Sequence, residues 1–280
     1  MNSVLSLRRL SAVTFTFLAL GAYTQAASLA IRENGPLVDI VFTGTHTLER
    51  ADTIKGQWIT LGNQTDVFTD PDSGTVDQRF YRINDAGVFS SNAVGYYRLN
   101  ICQGYSLIAN QLNTFSNTIT NLFRSPPDGT YVFKLNPASA VYIDLGFVDG
   151  VWEGNHPEAT LNPGEGIFIR SPAAFVNRFL GEVPSTASVA VPRGWSILSV
   201  PLPEAGPIAL VPPNGAGFPV AEGDQIWQFR CTSGTFRYNA FLDGAWEGDG
   251  SSPSVAVGEA FFLYRTAPAT TWNRTFSVGP

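Results

Sequence analysis

The chain has 280 residues, only 14% of them charged, with 27 Gly, 19 Pro and a formal net charge of −6. Beyond Arg8-Arg9 there is no basic cluster, so a phosphate backbone would be repelled and no nucleic acid is expected as a partner. Two histidines are too few for a His-rich metal site, and 44% hydrophobic with 12% aromatic residues argue against disorder.

The N-terminus reads "MNSVLSLRRLSAVTFTFLALGAYTQAASLA". Two arginines, an apolar run from Leu10 to Ala22 and small residues at Thr24 and Ala26 form the pattern of a secretory signal peptide. The run is shorter than the roughly 20 residues that span a bilayer. Residues 1–26 are therefore expected to be cleaved after Ala26, with no transmembrane anchor and a secreted, periplasmic or extracellular product. Setting the two arginines aside leaves a mature charge of about −8.

Residues 27–91 form a front β module. "HTLER" (46–50), "QWITLG" (57–62), "DVFTD" (66–70) and "RFYRI" (79–83) alternate as strands between polar turns. "DPDSG" (70–74) has part of a calcium-loop pattern. Its Gly comes one position early, and Tyr81 stands where the closing Glu belongs, so a plain turn is expected. Neither a metal nor a cofactor is expected. "SSNAVGYYRLN" (90–100) is either a linker or, through Tyr96, Tyr97 and Leu99, a strand of the next domain.

Residues 92–280 contain an internal repeat, copy one at 104–184 and copy two at 194–280. "GYSLIANQL" (104–112) matches "GWSILSVPL" (194–202) at an offset of 90. "DGTYVFKL" (128–135) matches "EGDQIWQF" (222–229), and "FVDGVWEG" (147–154) matches "FLDGAWEG" (241–248), both at 94. "PGEGIFI" (163–169) follows with "VGEAFFL" (257–263), and "NRFLGEV" (177–183) with "NRTFSVG" (273–279). Such periodicity marks a repeated supersecondary unit. In it Tyr131, Phe133 and Leu135 share one strand face with their counterparts Gln225, Trp227 and Phe229. Asp149-Gly150 and Asp243-Gly244 are expected as type I′ hairpin turns, which need positive φ at both central residues. One short helical turn is expected at 116–123, capped by Ser116 or Asn117 and burying Ile119, Leu122 and Phe123.

The front module, through Trp58, "FTD" (68–70) and "RFYRI", resembles a small β-sandwich unit of large secreted proteins from planctomycete and verrucomicrobial bacteria. "GYSLIANQL", "PGEGIFIR" and "GWSIL" resemble the β-repeat that follows such units. The resemblance covers most of the mature chain and implies architecture and export, but no catalytic residue. The expected fold is all-β: a front sandwich-like module, then a duplicated unit of about five strands per copy in a sandwich or barrel.

Catalytic signals are weak. "GYSLI" and "GWSIL" lack the second Gly of a nucleophile elbow. A Ser-His-Asp triad would have to use His46 or His156. Glu153 with Glu247, or Glu165 with Glu259, would give a paired carboxylate, although Glu beside Gly is more simply a turn residue accepting backbone hydrogen bonds. Trp152, Trp195, Trp227, Trp246 and Trp272 either fill cores or stack on sugars. Trp272 aligns with Val176 in the first copy, which singles it out for a local role. The candidate ligand-binding set is thus Trp272, Trp152, Glu153, Trp246 and Glu247. Cys102 and Cys231 either form one disulfide across a long loop or stay separate as buried thiols. The chain is expected to be a non-catalytic structural or binding protein with envelope proteins or glycans as partners; the alternative is a glycan-binding or glycan-cleaving protein.

Overall fold

A computed structural model describes residues 26–114, 116–212, 214–249 and 252–279. The signal-peptide expectation lies outside the described residues, except for Ala26. The fold is all-β, with 55% strand and 2% helix and sheets that curl. Among the described residues no helix is long and apolar enough to cross a membrane.

The chain opens with β1 (Ala30–Asn34), β2 (Leu37–Ala51), β3 (Ile59–Asp70), β4 (Gln78–Asp85) and β5 (Val88–Phe89). Next come β6 (Val94–Ile101), β7 (Gly104–Ile108), helix α1 (Ile119–Leu122), β8 (Thr130–Asn136), β9 (Val141–Val148), β10 (Val151–Gly154), β11 (Ile167–Ser171) and β12 (Phe175–Glu182). The remainder holds β13 (Thr186–Val191), β14 (Gly194–Ser199), β15 (Gly206–Pro207), β16 (Gln225–Arg230) and β17 (Thr235–Leu242). It closes with β18 (Ala245–Gly248), β19 (Ser254–Val255), β20 (Ala260–Arg265) and β21 (Thr270–Thr275).

Seven strands form the first sheet, in the order β1-β2-β4-β6-β12 with β3 on β2 and β5 on β4. "QWITLG" and "DVFTD" merge into the single long strand β3. Residues 90–100 contribute the strand β6, which pairs with β4 on one side and β12 on the other. Successive side chains of a strand point to opposite faces, so the adjacent tyrosines serve two cores. Tyr96 packs with Ile40, Tyr81 and Val94, while Tyr97 packs with Phe80, Ile108 and Phe179. Hydrogen bonding and packing therefore run continuously across residue 91.

Two five-stranded sheets follow, ordered β10-β9-β8-β11-β7 and β18-β17-β16-β20-β14. Their strand orders correspond one to one with the matched sequence segments. Asp149 (φ 51°) and Gly150 (φ 80°) turn β9 into β10, and Asp243 (φ 51°) and Gly244 (φ 77°) turn β17 into β18. These are the positive-φ pairs that Asp-Gly supplies. The helix is correctly placed, but its cap is not. Thr118 is the N-cap and makes no side-chain bond; Asn117 instead accepts the Thr114 amide at 2.9 Å with its Oδ1.

The two sheets meet reciprocally. The Ala109 amide donates to the Gly258 carbonyl at 2.9 Å, and Ser199 donates to Gly164 at 3.0 Å. Bridges join Ile108 to Glu259 and Leu198 to Glu165. Leu107, Leu135, Ile197 and Ala260 form the apolar floor between the sheets. Cys102 and Cys231 form a disulfide with Cα atoms 6.0 Å apart, linking the segment before β7 to the end of β16.

Candidate functional site

The aromatic residues of the second five-stranded sheet fall on alternate positions. In β16 they are Trp227 and Phe229, in β17 Phe236 and Tyr238, and in β20 Phe262 and Tyr264. The intervening Ile226, Phe261 and Leu263 turn the other way, into a core with Val200, Phe218 and Trp272. Both faces are thus apolar, and only one is sealed. In the first of these sheets Val132, Ile167 and Ile169 fill the core, leaving Phe133, Phe168 and Tyr105 on the open face.

The open faces meet at Phe168. Its ring centroid lies 5.4 Å from both Phe229 and Phe262 and 6.0 Å from Tyr105. Phe133 continues from Tyr105 at 6.5 Å, and Phe236 from Phe229 at 5.1 Å. Trp195 lies 6.2 Å from Phe262, 6.4 Å from Trp227 and 5.0 Å from Tyr264. Tyr238 completes the set, 4.4 Å from Trp227. These ten rings form one connected array, and none of them is buried. Tyr105, Trp195 and Phe236 are 46%, 45% and 42% exposed. Between the sheets five of these rings, Tyr105, Phe133, Phe168, Phe229 and Phe236, line a groove of about 690 Å³, with Gln103, Tyr142, Cys231 and Gly234 on its walls.

Trp272, the leading sequence candidate, is a correction. It is 1% exposed, its Nε1 donates to the Ala216 carbonyl at 3.0 Å, and its ring meets Phe218 edge-on at 5.2 Å. It is a core residue without a face for a ligand. Trp152 and Trp246 are half-buried hairpin residues that meet Phe147 and Phe241 edge-on across their strands, at 5.4 and 5.3 Å. Trp152 also donates to the Phe123 carbonyl at 2.8 Å, fastening its hairpin to the core. Glu153 and Glu247 are exposed on the return arms of the two hairpins. None of these five lines the groove; Cys231 does. Trp195 and Trp227, which the sequence offered for either role, belong to the ring array beside the groove; the aromatic residues that line the groove were missed. The available signal was the alternate aromatics on strands whose other face already supplied a core.

The remaining polar candidates are committed to structure. Glu165 accepts the Asn162 amide at 2.7 Å and Lys134 Nζ at 2.9 Å. Glu259 accepts the Ala256 amide at 2.8 Å and Gln228 Nε2 at 2.9 Å. Both carboxylates therefore cap their own turns, and burial raises that of Glu259 above the usual range. Asp70, in the calcium-like stretch, is fully buried. It receives Arg79 at 2.7 Å and the hydroxyls of Tyr81 and Tyr96 at 2.5 and 3.1 Å, and burial pushes both tyrosines up. His46 is held by Asp85 at 2.6 Å. His156 sits on an exposed loop 3.1 Å from Glu158. Among the described residues no group of three or more His, Cys, Asp or Glu side chains is placed to hold a metal ion.

No protein-family model matches the chain, and no curated protein matches it significantly.

Proposed function

We propose that this chain is a secreted, non-catalytic binding protein of the cell envelope or extracellular space, and that its aromatic groove takes glycans. The observation that carries the reading is the connected array of ten rings, none of them buried, laid across two sheets of like topology. Rings of this size are ordinarily core residues, and a continuous exposed apolar patch marks a binding surface. Flat rings suit the apolar faces of sugar rings. Gln103 and the hydroxyls of Tyr105 and Tyr142 stand at the groove to meet sugar hydroxyls, in keeping with a site of apolar walls and few polar groups.

The Cys102–Cys231 disulfide supports an oxidising compartment, as does the signal-peptide pattern. The engagement of Glu165 and Glu259 in their own turns supports binding over cleavage. The like topology of the two sheets supports their origin as copies of one unit, and the resemblance to secreted β-repeat proteins agrees with that origin.

The test is a broad glycan array probed with the chain from Ala27, with and without calcium. Retention that disappears in Tyr105→Ala and Phe236→Ala supports the assignment. Retention of no glycan overturns it.

A further inference from the structure

The internal repeat reaches one strand further upstream than its matched segments. β6 ends at Ile101, just before Gly104 opens β7, and β13 ends at Val191, just before Gly194 opens β14. Both ends keep the offset of 90 that relates the two glycines. β6 pairs with β12 and β13 with β21, so the two pairs are equivalent. Their surroundings are not. In the first copy β4 pairs along the other edge of β6; in the second, β13 pairs with β21 alone.

Strand alternation gives the direction of the backbone groups on that edge. The Phe276 amide donates to the Ser185 carbonyl at 2.9 Å, so the main-chain groups of Ser185 face β21. Groups change sides at each residue, and the β13–β21 register is unbroken. Those of Ala187, Val189 and Val191 therefore face β21, while those of Thr186, Ser188 and Ala190 point away from it. Among the described residues nothing bonds to these outward groups. Their counterparts in the first copy are Tyr96, Arg98 and Asn100. There the Arg98 amide donates to the Asp77 carbonyl at 2.7 Å, and Tyr96 lies opposite Arg79 of β4. The edge that takes the front module in the first copy is thus unpaired in the second.

β13 also lacks the devices that keep a strand edge from pairing, among them charges, prolines and bulges. Its sequence, TASVAV, holds no charge and no proline. Other outer strands carry such devices: Arg32 and Glu33 in β1, Glu153 in β10, Glu247 in β18, and register shifts in β3. The outer face of the β13–β21 ribbon sets Thr186, Ser188 and Ala190 beside Thr275, Asn273 and Thr271, all exposed and uncharged. β12, the equivalent of β21, has no strand on its own far side, so the precedent within the chain selects β13.

We propose that β13 pairs antiparallel with β13 of a second copy of this chain, about a two-fold axis at Ser188. The two ribbons then join into one sheet, β21-β13-β13-β21. In this register Ser188 faces Ser188 and Thr186 faces Ala190, so each outward N–H meets an outward carbonyl. Ala187 faces Val189 on the inner side, and no charge opposes another. A two-fold contact uses the same patch on both copies, so the assembly closes as a dimer.

The experiment is sedimentation equilibrium of the chain from Ala27, carried to millimolar concentration. Wild type shifts with concentration from the mass of one chain to that of two, and NMR shows slowed amide exchange at Thr186, Ser188 and Ala190. Ser188→Lys and Ser188→Glu each set like charges opposite one another across the axis and weaken association at least tenfold. An equimolar mixture of the two variants, which opposes unlike charges, associates again. Ser188 is exposed, so the unfolding curves of both variants match wild type. Wild type that keeps the mass of one chain throughout, charge variants that associate as wild type does, or a mixture no tighter than either variant alone each overturns the proposal.

Discussion

The amide of Ala109 donates to the carbonyl of Gly258 at 2.9 Å, tying the end of β7 to the turn before β20 in the neighbouring sheet. Ser199 and Gly164 repeat this contact at 3.0 Å with the roles of the two sheets exchanged. The pairing is that of a two-fold interface, in which each partner gives and receives the same contact. It fixes the angle between the aromatic faces, and so the shape of the groove.

The interface is tight at its centre. A Cβ on Gly166 would lie 2.5 Å from Ala260 Cβ and 2.6 Å from Ile197 Cγ2. Gly166→Val is expected to cost about 1–3 kcal/mol by overpacking, measured by urea unfolding. A neutral result would show that the sheets separate freely.

The hairpin glycines test a different effect. Nothing lies within 4 Å of a Cβ built on Gly150 or Gly244, so substitution there acts on the backbone alone. Gly150→Ala and Gly244→Ala should each cost about 1–2 kcal/mol, the penalty for a left-handed L-residue. Matching losses at both tips are expected; no loss at either would contradict the turn assignment.

The disulfide closes a separation of 129 residues, for which the chain-entropy model gives about 5 kcal/mol. Cys102→Ser with Cys231→Ser should lower the unfolding free energy by roughly that amount. Equal stabilities for wild type and the double variant would rule out the link as a stabilising element.

Glu259 gives a signed pH dependence. Burial raises its folded-state carboxyl above the usual value, so the folded state holds the proton to higher pH than the unfolded chain does. Stability from this group is full below the unfolded value, near 4.3, and is lost as pH rises through the folded one. The stability difference between wild type and Glu259→Gln should therefore fall as pH is raised from about 4 toward neutrality. A difference that grows over that range would reverse the assignment.

Much of the architecture is legible in the residues themselves. Asp149-Gly150 and Asp243-Gly244 mark the hairpin tips because few dipeptides take two positive φ angles cheaply. Trp272 was misread for a topological reason. Val176 is the second residue of β12, whereas Trp272 is the third of β21. A shift of one place along a strand exchanges its faces. Trp272 and Arg274 consequently face the core in β21, while the aligned Val176 in β12 is exposed. Matching "NR" to "NR" cannot reveal that inversion. The groove was missed for a related reason: alternation shows which aromatics share a face, but only the packed sheets show which face stays open.

The most direct test of the account is an equilibrium titration of the best-retained glycan from the array against wild type, Phe236→Ala and Trp272→Ala, alongside their unfolding curves. Phe236→Ala, which removes an exposed ring of the groove wall, is expected to bind at least tenfold more weakly with little change in stability. Trp272→Ala should lose about 3–5 kcal/mol of stability as a buried aromatic truncation and, while folded, keep its affinity. Unchanged binding by Phe236→Ala, with affinity lost in folded Trp272→Ala, would contradict the assignment of the aromatic groove as the binding site.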